Sequence, residues 1–179
     1  VFITMFCHHV LVAQSSNNLE RSDCFLEDCS GFEKMDNVEF GYLTVPENYS
    51  KPRGRQIKIA FAVIKSKVEN PEPDAVMIFQ GGWGSPMLSS SLLGYAKGFP
   101  IKNRDVIMFD YRGSGLSQPT LCDWVGEETW NDLKRDLTFE EFNKNQTARF
   151  NQCLDTLESK EIDYNQYGSN TKTKDAVML

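Results

Sequence analysis

The stretch FQGGWGSP, Phe79–Pro86, decides how this chain folds and what it is for. It follows the apolar run Ala75-Val76-Met77-Ile78-Phe79 and places three glycines within four positions. A short apolar run bounded by turn residues reads as a strand covered on both faces. Glycine admits positive φ and close backbone approach. A sharp turn at a strand end therefore exposes backbone N–H groups. Those donors serve a phosphate, a developing oxyanion or the turn itself.

The phosphate reading fails residue by residue. Gly82-Trp83-Gly84 supplies Gly-x-Gly, but Met87 stands where the dinucleotide fingerprint needs its third glycine. A Walker loop ends in Gly-Lys-Ser/Thr, and the chain has no such ending. The oxyanion reading fits better. In α/β-hydrolases one donor comes from the loop after the third strand, where the backbone must approach a tetrahedral intermediate. Here the loop follows the third predicted strand.

Outward from the loop, Val38–Pro46 and Gln56–Ile64 flank a turn-rich segment and predict an antiparallel hairpin. Leu88–Phe99 predicts a helix, and Asp105–Asp110 a second buried strand. Strand, helix, strand implies a parallel pair with a right-handed crossover. Thr138-Phe139-Glu140-Glu141 is a capping box. Phe139, Phe142, Phe150, Cys153, Leu154 and Leu157 then fall on one helical stripe, expected to face the core. A last helix is expected from about Thr171, with Ser169 as its cap. This order is the first half of a mixed α/β sheet, with residues 38–179 as the domain.

The 179 residues suffice for one domain with a core, and 40% hydrophobic with 25% charged residues is ordinary for a globular protein. A net charge of −6 and no basic block argue against nucleic acid or an anionic membrane as the main partner. Phe2–Ala13 is mostly apolar and too short to span a bilayer. Residues 1–14 read as the remnant of a secretory signal without its basic start; the alternative is a buried first strand. Residues 15–37 read as an irregular polar lead-in. Beyond Cys7, the cysteines are Cys24, Cys29, Cys122 and Cys153. An even number in an exported chain suggests disulfides, whereas in a cytosolic chain they read as buried thiols. No metal or organic cofactor is implied. Asn48-Tyr49-Ser50 and Asn145-Gln146-Thr147 match the glycosylation triplet.

Four stretches in order resemble one family. Gly81-Gly82-Trp83-Gly84-Ser85 is similar to the Gly-Gly-Pro-Gly-Gly/Ser loop of proline-iminopeptidase-like α/β-hydrolases, especially the secreted tripeptidyl-aminopeptidase branch. Phe40–Tyr49 resembles the branch's Gly-x-Leu-x-Val-Pro-x-x-Tyr strand, and Asp105–Ser117 its Asp-x-x-x-x-Asp-Gln-Arg-Gly-x-Gly-x-Ser segment. Tyr167-Gly168-Ser169 with Asp175 resembles the helix that leads into the nucleophile strand. Trp83 replaces the usual proline, Gln80 stands where relatives often carry His or Asn, and Tyr111 replaces Gln.

The resemblance implies the N-terminal half of an α/β-hydrolase fold: an antiparallel hairpin leading into a mostly parallel sheet, ending before the nucleophile strand. It implies backbone N–H groups of Gly82 and Trp83 as oxyanion donors. The activity implied is that of an exported serine aminopeptidase acting on peptides with a free N-terminus. Esterase, epoxide hydrolase and catalytically dead binding module remain alternatives. It also implies a Cys122–Cys153 disulfide, leaving Cys24 and Cys29 to pair locally. The triad is absent from the chain, because no Gly-x-Ser-x-Gly occurs and the only histidines are His8 and His9. Residues 1–179 alone are thus expected to be inactive and poorly folded. A nucleophile turn is expected within about ten residues of Leu179 in a longer chain. Asp110, Arg112 and Ser117 read as turn-holding rather than chemical residues, since an Arg beside an Asp at a strand end pairs with carboxylates and carbonyls.

Overall fold

A computed structural model describes residues 18–82 and 84–179. The expected signal segment, both histidines and Trp83 lie outside the described residues.

The described residues form five strands and four α-helices. The strands are β1 (Leu19–Ser22), β2 (Val38–Pro46), β3 (Gln56–Ile64), β4 (Ala75–Ile78) and β5 (Asp105–Phe109). The helices are α1 (Leu88–Gly98), α2 (Trp124–Leu133), α3 (Phe139–Ser159) and α4 (Ser169–Met178). The strands make one sheet in the order β1-β2-β3-β5-β4. The hairpin pairs antiparallel from Val38 opposite Ile64 to Pro46 opposite Gln56. β4 and β5 pair parallel with α1 between them, so the predicted mixed sheet is present. The lead-in holds a strand that the sequence did not signal. β1 pairs with β2, although all four of its residues are exposed.

Side chains alternate across a strand, and this sheet buries both sets. Ala60, Ala62 and Ile64 of β3 face one layer with Val106, Met108 and the α1 residues Leu88 and Leu92. Ile57, Ile59 and Phe61 face the other, with Phe109 and Ala176 of α4. That is why β3 reads as mostly apolar rather than alternating. The lead-in is part of this packing: Phe32 is buried in the first layer, and Phe25 meets Phe40 edge-on at 5.3 Å.

The capping box forms as expected, with Thr138 accepting from the Glu141 N–H and the Glu141 carboxylate accepting from the Thr138 N–H. The α3 stripe is a correction. Leu157 is buried with Ile162 and Tyr167, and Cys153 packs against them. Phe139 and Phe150, on the same stripe, are 82% and 61% exposed. The reason is the neighbour: α2 meets α3 through the polar residues Asp132, Asn145 and Arg149, not through an apolar seam. Both expected disulfides are formed, Cys122–Cys153 and Cys24–Cys29. Among the described residues no helix is long and apolar enough to cross a membrane.

Candidate active site

The glycine loop leaves the C-terminal end of β4. Gly82 has φ +92° and Gly84 φ +73°, a region that favours glycine. A side chain at Gly82 would also press on the Ser85 hydroxyl, 3.1 Å from an ideal Cβ. The loop thus uses its glycines for turning, as the sequence suggested. Of the two expected donors, the Gly82 residue is exposed, and Trp83 lies outside the described residues.

Tyr111 holds the loop from below. Its hydroxyl donates to the Gln80 carbonyl at 2.8 Å. Burial pushes the phenol above its ordinary pKa, so the donor stays protonated. Its ring packs on Phe109, and the Lys172 ammonium lies 4.9 Å from the ring centroid. This brace was not read from the sequence, where Tyr111 stood out only as a departure from the family pattern.

Between the loop and the start of α4 lies a pocket of about 230 Å³, lined by Gln80, Gly82, Tyr111, Ser169, Lys172 and Thr173 among others. A cavity of about 480 Å³ lies at the opposite end of the sheet, among Lys65, Tyr95, Phe99 and Lys102. Its greater volume does not make it the better candidate, because it lacks the positive-φ backbone turn. Burial, helped by the Arg112 charge, lowers the pKa of Lys172. Among the described residues there is no histidine, so the pocket offers backbone donors and a cation but no imidazole base.

Asp110, Arg112 and Ser117 are supports, as expected. Asp110 is fully buried; its Oδ1 accepts from the N–H groups of Met87 (2.6 Å) and Leu88 (3.0 Å). Its Oδ2 accepts from Leu116 N–H at 2.8 Å. Helix α1 has no side-chain cap of its own, so Asp110 caps it from across the sheet and complements its N-terminal dipole. Gly115 is required beside it, since a Cβ there would lie 2.2 Å from Asp110 Oδ2. Ser117 donates to the Asp110 carbonyl (2.7 Å) and accepts from Ala60 N–H (3.0 Å), buried far from any nucleophile geometry. Asp110→Ala is expected to lower stability by about 2 kcal/mol through loss of the cap. Asp110→Asn should recover only part of this, because its NH₂ would face the Leu116 N–H. Denaturant midpoints at constant m check this, and an unchanged Ala midpoint would refute it.

Arg112 is 2% exposed and forms a fork on Asp175, Nε to Oδ2 at 2.7 Å and Nη2 to Oδ1 at 2.6 Å. Nη1 donates to the carbonyls of Glu47 (2.7 Å) and Gln166 (3.0 Å). Tyr49 donates to Asp175 at 2.8 Å, and Tyr167 to the buried Glu47 at 2.9 Å. Burial first, then these carboxylate partners, push both phenols upward in pKa. One arginine therefore ties the end of β2, the loop after β5 and α4 together, and fixes the wall of the pocket.

Two curated proteins align with this chain. One is a tripeptidyl aminopeptidase of Streptomyces coelicolor, 32% identical over 102 residues, covering 54% of this chain and 19% of the relative. The other, from Streptomyces lividans, bears the same name and is 32% identical over 107 residues, with the same coverage. The chain spans about a fifth of the length of these relatives (19%). No family model matches it. These names agree with a peptidase-like hydrolase and say nothing about which atoms do the chemistry.

Proposed function

We propose that this chain is the N-terminal, oxyanion-loop part of an exported serine hydrolase of the α/β-hydrolase type. Its whole protein releases residues or short peptides from a free N-terminus. The reaction is acyl transfer through a Ser-His-Asp triad supplied by residues beyond this chain, and Gly82 and Trp83 donate their backbone N–H groups to the oxyanion. The observation that carries this reading is the positive-φ glycine turn at the C-terminal end of β4, beside the pocket. The relatives' names support the peptide substrate. The sheet order supports the fold, because β4 is an edge strand with no partner on its outer side among the described residues. A nucleophile strand added there would put its serine turn beside the glycine loop. The disulfides support an oxidising destination.

The test uses the full-length gene product. A fluorophosphonate probe is expected to label one serine in a Gly-x-Ser-x-Gly turn, and the protein to cleave a peptide with a free but not an acetylated N-terminus. Absence of labelling would leave a binding module instead. Labelling with ester but no peptide turnover would make it an esterase. Turnover by residues 1–179 alone would overturn the assignment of the triad to the missing part.

A further inference from the structure

The two Asn-x-Ser/Thr triplets play no part in the proposed site, and the fold treats them in opposite ways. Asn48 opens the turn between β2 and β3. Its Oδ1 accepts the Ser50 N–H at 2.8 Å, and its carbonyl accepts the Lys51 N–H at 2.8 Å. This Asx turn occupies the amide oxygen and draws residues 48 and 50 together. Nδ2 has no acceptor among the described residues, and Ser50 is exposed with its hydroxyl uncommitted. Asn48 is half-buried and Ser50 exposed, so the triplet sits in a turn that is at least partly accessible.

Asn145 is on α3, facing α2. Its Nδ2 donates to Asp132 Oδ2 at 3.0 Å. Asp132 is buried and also accepts from Arg149 (2.6 Å) and Arg135 (3.1 Å). Burial opposes ionisation of this carboxyl, but the bonds from Asn145 and Arg149 and the nearby arginine charges outweigh it and hold the group below the usual carboxylate range. Among the described residues the neighbouring Gln146 Nε2 and Arg149 Nη1 are already buried without acceptors. Turning Asn145 outward would remove one of the three donors from a buried charge. Residues two apart on a helix do not face each other. Accordingly Thr147 bonds back to the Asn143 carbonyl at 2.9 Å rather than approaching Asn145.

We propose that Asn48, and not Asn145, is the N-glycosylation acceptor of this chain when it folds in a secretory compartment that supplies a lipid-linked oligosaccharide diphosphate. In that transfer the Asn48 Nδ2 bonds to the sugar C1 and the C1–O bond to the diphosphate breaks. The lipid diphosphate leaves with the electron pair, and the amide proton passes to the transferase. Folding competes with transfer at Asn145, where the same nitrogen is needed by Asp132; it does not compete at Asn48.

The test expresses the full-length gene product behind a cleavable leader in insect cells. Peptide:N-glycosidase treatment in heavy-oxygen water marks each site that carried a glycan, and mass spectrometry maps the marks on secreted protein. Where secretion is poor, the same map is made on the protease-resistant, disulfide-intact fraction from microsomes. The mark is expected at Asn48 alone. Asn48→Gln and Ser50→Ala should each abolish the glycan mass shift, the second while keeping the Asx turn, and Asn145→Gln should leave the shift intact. A mark at Asn145 in folded material, or a bare Asn48, would overturn the proposal.

Discussion

Arg112→Met should cost about 3–5 kcal/mol, the range for removing one partner of a buried ion pair. The guanidinium has four strong bonds: two to Asp175 and one each to the Glu47 and Gln166 carbonyls. Methionine fills part of the volume but leaves Asp175, 1% exposed, without its guanidinium fork, holding the Tyr49 hydroxyl bond. The loss is mainly that stranded charge rather than the missing attraction. Arg112→Lys keeps the charge but not the planar fork, and should fall between the parent and the methionine variant. The double change Arg112→Met with Asp175→Leu removes both charges and should recover much of the loss. Denaturant unfolding of the chain gives the three values. A double variant no better than Arg112→Met alone would show that the cost lies in packing and the carbonyl bonds, not in the buried carboxylate.

That arrangement shows where sequence reading stops. The hairpin and the parallel pair were legible because they depend on local pattern: apolar runs, a turn-rich segment, a proline end and a glycine turn. The structural role of Arg112 was legible from its place just past a buried strand. Its partner was much less so. Asp175 is one of 25 acidic residues, 63 positions away, and it was marked only as part of a family-like helix. The cap on α1 was hidden for a related reason. Pro86-Met87 offers no local cap, and the acceptor comes from Asp110, 23 positions on. A helix start without a capping side chain is itself the signal that could have sent the search to the neighbouring strand end. The Tyr111 brace had no signal at all, since a lone tyrosine carries no period. The α3 stripe misled because periodicity reports which residues share a face, not what covers that face.

Removing the Cys122–Cys153 bridge should have an effect similar in size to the loss of Arg112. The cysteines are 31 positions apart, and the chain-entropy relation gives about 3–4 kcal/mol for a loop of that length. The Cys24–Cys29 bridge spans only five positions, and the same relation gives about 2 kcal/mol. The longer bridge also has more to hold. It closes over α2 and fixes α3 to the loop after β5, where Leu121 and both cysteines pack against Leu157, Ile162 and Tyr167. Cys122 adopts φ +51°, a conformation that costs a non-glycine residue about 1 kcal/mol or more. Without the bridge nothing covalent opposes relaxation of that strain, so α2 and the start of α3 should loosen first. The paired serine variants make the comparison. Cys122→Ser with Cys153→Ser should lower the midpoint more than Cys24→Ser with Cys29→Ser, and should raise amide exchange in α2 before it does so in β3. Equal midpoints would mean that the α2–α3 hairpin is held by Asp132 and its donors rather than by its covalent tie.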